Sequence, residues 1–505
     1  MDARKLKILR YLIVLLALSI AVPAQAQTTL TMLQPLTGSI TPNGTNAWTF
    51  NAQSGAVLSF ALQATTDQFD PVLTLADSSG HEVVSSDDYD YPTSLNPLLE
   101  AITMPRTDTY TLTVSGFKDT AGSYKLTMLP GYSQLAAVDD FNGSHWQAFD
   151  STVVAQQSNG QLQMSIGGAH QSGLAFDSSA ATYTDFYAQA QVVNVANPSG
   201  WQIGMAFRRQ GSSYYLLSIN AQGTWRFTLV QNGTETVIHD WTPHPNIVPG
   251  AASFSVGVLA KGDGFDFFYN SGYIGSATDQ TLASAGTIGL MLGTYSSSPS
   301  QSSATFDNLS ITTPTLVNGA AVIPEEITAG DGNQSVLALK RRGLIAADGQ
   351  MSLTLPDSSV QYARPGVNRV MLGRSVTYTN FAIGTTVDLS AAGPGPAGCG
   401  LVFRFSDDNN YALAWLDQTG EYGVSQRTGD TFAPGIYGKN QSIGAGTHLL
   451  LLVANDNTID FYIDRQFVGS MQNTAQSGQV GIAVVNFEPN TTACHYTNLW
   501  LWNWS

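Results

Sequence analysis

Six aspartates, Asp67, Asp70, Asp77, Asp87, Asp88 and Asp90, crowd into one short stretch near the start of a 505-residue chain. Calcium takes several hard oxygen ligands, so Asp70, Asp77, Asp87, Asp88 and Asp90 form a candidate calcium site on two loops. No EF-hand spacing accompanies them, and Asp77-Ser78-Ser79-Gly80 also reads as a plain turn. A second set of residues suits sugar chemistry. Tyr215, Trp225 and Trp241 with Arg208, then Tyr411, Trp415 and Tyr422 with Arg404, could stack on pyranose faces and donate to hydroxyls. Rings alternating along strands also pack cores, and each Arg could instead pair with Asp266 or Asp460.

Catalytic arrangements are missing from the sequence. It has no Gly-x-Ser-x-Gly elbow, no His-Glu-x-x-His and no phosphate-binding loop. The Glu-x-Asp-x-x-Glu run of laminarinase-type jelly rolls is absent too, and no residue is assigned a catalytic role. The two cysteines, Cys399 and Cys494, suit a disulfide in an oxidising compartment. Their counterparts in the internal repeat described below are Ile203 and Ala304, so the bridge is expected in one copy alone.

The elements that must position these groups are strands. Gly at 48, Tyr at 20 and Phe at 22, with a charged fraction of 11%, describe sheets and turns rather than helices. Residues 1–26 read as an export signal: Arg4, Lys5, Lys7 and Arg10 precede the apolar run Tyr11 to Val22, and Ala24-Gln25-Ala26 offers a cleavage site. The mature chain then carries 17 basic against 36 acidic residues, a net −19. That charge disfavours nucleic acid and anionic membrane surfaces as partners.

Three blocks follow, separated by turn clusters: residues 28–130, 135–313 and 337–505, with 314–336 as a linker. The first alternates apolar and polar residues over Trp48 to Phe50, Val57 to Leu62, Val72 to Leu75 and Tyr110 to Val114, which predicts a small β-sandwich. The other two are copies of each other. Asn159-Gly160-Gln161-Leu162 recurs as Asp348-Gly349-Gln350-Met351, and Gly204-Met205-Ala206-Phe207-Arg208 as Gly400-Leu401-Val402-Phe403-Arg404. Tyr183-Thr184-Asp185-Phe186 recurs as Tyr378-Thr379-Asn380-Phe381, and Asp266-Phe267-Phe268 as Asp460-Phe461-Tyr462. The fold predicted is all-β, a small sandwich followed by two duplicated jelly rolls. The terminal run Leu499 to Trp504, apolar on both faces, is expected to lie buried between sheets.

The first block resembles the bacterial pre-peptidase C-terminal domain through Asp70-Pro71-Val72-Leu73-Thr74-Leu75, Asp87-Asp88-Tyr89, Thr109 to Val114 and Gly122-Ser123-Tyr124-Lys125-Leu126. The second and third blocks resemble concanavalin/laminin-G-like jelly rolls, and more narrowly the 3-keto-disaccharide hydrolase group. Asp139-Asp140-Phe141, Trp146, Gly204 to Arg208, Tyr214-Tyr215 and Phe306-Asp307-Asn308-Leu309 carry that resemblance, and the third block has Leu339-Lys340-Arg341-Arg342 in place of the opening Asp-Asp-Phe.

Together these observations predict a secreted, non-catalytic protein that binds glycan or another surface polymer, its two like modules gaining by avidity. The resemblance also implies a glycoside hydrolase or lyase as an alternative. A structural surface protein binding other proteins is the third reading.

Overall fold

The computed structural model describes residues 29–91, 94–196, 200–295, 301–316, 332–341, 344–346, 348–373 and 376–504. The expected export signal lies outside them. Among the described residues every element is a strand except one helix, Gly332–Arg341, and one short 3-10 turn, Phe117–Asp119.

Sequence alternation sets the faces. Strand Pro71–Ala76 buries Pro71, Leu73 and Leu75 and turns Val72, Thr74 and Ala76 outward, as a period of two requires. It belongs to a sheet ordered Asn46–Ala52, Asp108–Gly116, Pro71–Ala76, Glu82–Ser86. A second sheet, Leu36–Ile40, Gly122–Pro130, Val57–Ala64, Leu98–Thr103, closes over it. Phe50, Phe60, Leu73, Tyr110, Leu112 and Tyr124 fill the space between.

The two jelly rolls share twelve strands, and the first adds Gln134–Asp139, Trp146–Ala148 and Val153–Ser158. One sheet of the first runs Ser172–Asp177, Thr287–Thr294, Trp201–Gln210, Ser213–Asn220, Thr224–Gln231, Thr234–Pro243. Its equivalent runs Gly366–Leu372, Gln479–Asn486, Ala397–Asp407, Asn410–Asp417, Glu421–Thr428, Thr431–Asn440. The opposing sheets share their order as well. Cores of Ile203, Phe207, Phe227 and Phe265 in one copy and Leu401, Phe403, Val424 and Phe461 in the other lie between the sheets. The second core also holds the Cys399–Cys494 disulfide, with Cα atoms 5.7 Å apart.

The repeated Gly-x-x-Phe-Arg strand shows why the duplication is structural. A Cβ on Gly204 would lie 2.0 Å from the Leu217 carbonyl, and one on Gly400 would lie 2.4 Å from that of Ala414. Four residues on, Arg208 and Arg404 turn into left-handed backbone (φ 49° and 51°) and break the ladder register. Both side chains are 1% exposed, which corrects their reading as ligand donors. Arg208 donates to the carbonyls of Thr184, Leu282 and Gly262 at 2.9, 3.1 and 2.5 Å, with Asp185 at 3.8 Å. Arg404 donates to those of Tyr378 and Asp456 at 3.0 and 2.7 Å, and also to Thr379 and Gln476. Each guanidinium thus ties segments together that have no ladder between them.

Two expectations change. The last part of the linker is helical, and Val336 and Leu339 of Gly332–Arg341 pack on Trp500 and Trp504. The terminal strand Thr492–Trp504 is therefore buried on its outer face by a helix, not by a second sheet, while Leu499 and Leu501 enter the sandwich core. Gly332 is needed there, since a Cβ would meet Trp500 at 2.7 Å.

The N-terminal sandwich is joined to the second jelly roll by main-chain pairing. Strand Glu82–Ser86 runs antiparallel to Thr431–Asn440, with Ser86 opposite Gly438 and Val84 opposite Asn440. The two sheets become one sheet of ten strands. A few residues later, Asp90–Tyr91 adds a short parallel pairing to Gln466–Gln472 on the opposing sheet. One segment, 82–91, thereby covers the same edge of both sheets.

Candidate ligand-binding cleft

Beside that seam lies a cavity of about 760 Å³, lined by Asp70, Asp87, Asp88, Phe117 and Lys118 on one side and Trp415, Ser425 and Tyr437 on the other. It unites residues from both sequence-derived sets.

Local structure aims each acid. Asp70 precedes its strand and is clamped by the loop that follows Asp108–Gly116: its carbonyl accepts from Phe117 N–H at 2.8 Å and from the Thr120 hydroxyl at 2.9 Å. Gly116 permits this tight return, because a Cβ would sit 1.9 Å from the Thr120 carbonyl. Asp87 extends the seam as a side chain, its Oδ1 accepting from Asp88 N–H at 2.7 Å and Tyr437 N–H at 3.3 Å. Asp88 is 6% exposed, and its Oδ1 is buried without a hydrogen-bond partner, as is Oδ1 of Asp70. Burial is the leading cause that raises all three carboxyl groups. It brings Asp88 to about 8 and Asp70 to about 6, with the Asp87 charge adding to both and Lys118 opposing at Asp70.

The opposite wall is aromatic. Tyr437 is 42% exposed, whereas Trp415 shows 8% of its surface, edged by Phe487 at 4.6 Å and Tyr437 at 6.3 Å between ring centroids. Burial and the hydrogen bond to Glu421 hold the Tyr437 hydroxyl in its protonated form. Tyr422 lies beneath the seam, and Gly438 makes room for it, since a Cβ there would touch the phenol oxygen at 2.4 Å.

The remaining expected ligand groups fall elsewhere. Tyr215, Trp225, Tyr411 and Tyr422 are buried, which corrects their reading as exposed sugar platforms. Tyr215 donates to Asp279, Trp225 stacks on His239 at 3.9 Å, and Arg369 covers Tyr411 at 4.9 Å. Central strands of a sandwich whose outer face is itself covered bury rings on either side, so alternation could not separate core from platform. Trp241 is half-buried on the edge strand Thr234–Pro243, in edge contact with Tyr295.

The aspartates also divide. Asp77 belongs to a turn: Oδ1 accepts from Ser79 N–H and hydroxyl and from His81 N–H, and Oδ2 pairs with Arg106. The Ser79 hydroxyl leads the causes that lower its titration to about 2. Asp90 stands on the other sheet, facing Asp460, which burial raises to about 7. Among the described residues no group of three or more His, Cys, Asp or Glu is placed to hold a metal ion, so the five-aspartate calcium site is not assembled.

Tyr437, Phe117 and Lys118 were not foreseen. Tyr437 lies in Thr431–Asn440, whose Pro434 and Gly435 obscure the strand pattern, and Lys118 sits in left-handed backbone (φ 46°) within a short turn.

Residues 44–116 match the family model of the bacterial pre-peptidase C-terminal domain. The structural neighbours of the jelly rolls are carbohydrate-binding modules and glycoside hydrolases. The carbohydrate-binding module CBM66 from Bacillus subtilis is 17% identical, with 34% of this chain and 98% of that one covered and a TM-score of 0.27. The kappa-carrageenase from Pseudoalteromonas carrageenovora is 14% identical, covering 36% and 94%, with a TM-score of 0.27. The pre-peptidase C-terminal domain of a Bacillus anthracis collagenase is 14% identical, covering 20% and 92%, with a TM-score of 0.18. No curated protein matches the chain. No helix among the described residues is long and apolar enough to cross a membrane.

Proposed function

We propose that this is a secreted protein that binds a glycan, or another polymer of a cell surface or matrix, in the cleft between its N-terminal sandwich and its second jelly roll, without transforming it. The observation that carries the reading is the cavity itself. The carboxyl groups of Asp70 and Asp88, each with one buried oxygen that lacks a partner, line it together with the rings of Trp415 and Tyr437. Hydroxyl donors would satisfy the oxygens, and an apolar sugar face would rest on the exposed ring. Affinity electrophoresis of the full chain in gels carrying common polysaccharides is the test. Retardation by at least one of them, weakened by Tyr437→Asp, is expected; mobility unchanged by every polymer would sink the reading.

One observation favours a hydrolase as the second reading. Asp88 holds its proton at neutrality in the cleft, as a general acid must. Release of reducing ends from a retained polysaccharide, abolished by Asp88→Asn, would establish that reading over the first.

A further inference from the structure

We infer that the cleft selects a saccharide bearing a protonated amine. This rests on the glycan reading and narrows it. Three carboxyl groups, Asp70, Asp87 and Asp88, converge on one cavity, and Lys118 alone among its lining residues carries positive charge. Lys118 reaches over the neighbouring Phe117 ring, 5.0 Å from its centroid. The acidity continues past the rim, where Glu421, Asp417 and Glu82 act on the Tyr437 hydroxyl.

An acidic cluster alone would say little, but two features make this one a receptor. Asp88 is almost wholly buried, yet its Oδ1 meets no donor. Such an orphan acceptor carries a desolvation cost that a ligand can relieve. The wall facing it is aromatic, with Tyr437 open to solvent and Trp415 at its back. An ammonium group presents three donors and no acceptor, so it can pair with Asp70 and Asp88 together, displacing to solvent the proton that Asp88 holds in the empty cleft, where a hydroxyl would offer one donor. The same cation is attracted to the faces of the rings. A sulfated or carboxylated polysaccharide would instead bring its charge against three acids, which the mature net charge of −19 reinforces.

Titration calorimetry on the full chain decides this with four probes: β-1,4-linked hexamers of glucosamine, of N-acetylglucosamine and of glucose, and a lysine hexamer. The glucosamine hexamer should bind about tenfold or more tightly than the other two sugars, and Asp88→Asn should weaken it by a similar factor. Because the decisive comparison is among ligands on the unaltered protein, a misfolded variant does not obscure it. Equal binding of the three sugars, or preference for an uncharged one, overturns the amine selectivity and leaves glycan binding standing. Lysine hexamer binding as tightly as the glucosamine hexamer overturns saccharide recognition in favour of charge alone. Binding of none of the probes overturns the inference here, while the polysaccharide gels separately judge the broader reading.

Discussion

The two jelly rolls share a strand order and a buried Arg, yet they differ along one edge. In the first copy the edge strand Thr234–Pro243 has no further ladder partner among the described residues and is largely exposed. In the second, the equivalent strand Thr431–Asn440 is paired with the N-terminal sandwich. Ladder register aligns the copies beyond the Arg. Phe207 opposes Tyr215 and Phe403 opposes Ala412, which places Ser218 at the position of Trp415. Following the next ladders outward, the register breaks at Arg226, so Asp240 and Trp241 together stand at the position of Tyr437. Ser218 in place of Trp415 takes one ring of the wall from the first copy, and the facing acids of the N-terminal sandwich meet the second copy alone.

The difference can be broken most forcefully at the disulfide. Cys399→Ala with Cys494→Ala opens a loop with a sequence separation of 95 residues. The double variant should destabilise the second jelly roll by about 5 kcal/mol on chain-entropy arithmetic. Denaturant unfolding should show that transition moving while that of the first jelly roll stays. Coincident movement of both would mean the copies unfold as one unit.

Arg208→Met and Arg404→Met probe what the copies have in common. Each leaves several buried carbonyls without a donor, so each should cost about 3 kcal/mol or more. Measured by the same unfolding, unequal effects would reveal that the neighbouring disulfide masks part of the loss at Arg404.

Exchange of the edge residues tests whether the wall explains binding. Tyr437→Asp removes the ring at a half-exposed position, and glycan affinity should fall about tenfold with unfolding almost unchanged. Asp240→Tyr alone should create no second site, because the first copy lacks the facing acids. Calorimetry with a bound glycan reads both.

The last expected effect is on pH dependence. Asp88 titrates near 8 and Asp460 near 7 in the fold, far above the ordinary range near 4 of an unfolded chain. The folded protein thus holds protons that the unfolded chain has released. Stability should fall as pH rises from about 4 towards 8 and level off beyond. A Tm series should show this slope in the unit that carries the seam, reduced in Asp88→Asn. A Tm rising across that window would contradict it.

Strands, duplication and disulfide partners were legible because they leave local or periodic marks: alternation in Val72 to Leu75, the recurring Gly-x-x-Phe-Arg, and an even pair of cysteines. The cleft left none. Asp87 and Tyr437 meet across 350 residues of sequence, and the acids meet only the second copy. The acidic stretch was visible, but its division into a turn at Asp77, a cleft at Asp70, Asp87 and Asp88, and an edge contact at Asp90 depends on which strand each one terminates. The helix Gly332–Arg341 was hidden by its Gly-rich approach and shows its purpose only against Trp500.

The seam also has a consequence for biogenesis. Strand Glu82–Ser86 leaves the ribosome early, but the strand that covers it ends at Asn440. Between the two, the nascent chain presents an open β-edge, the kind of surface that recruits stray strands from other chains. Glu82, Ser85 and Ser86 make that edge polar while it waits. A chain truncated before the second jelly roll should keep the N-terminal sandwich and lose this protection. Solubility of the nascent chain would then depend on a strand made about 350 residues later.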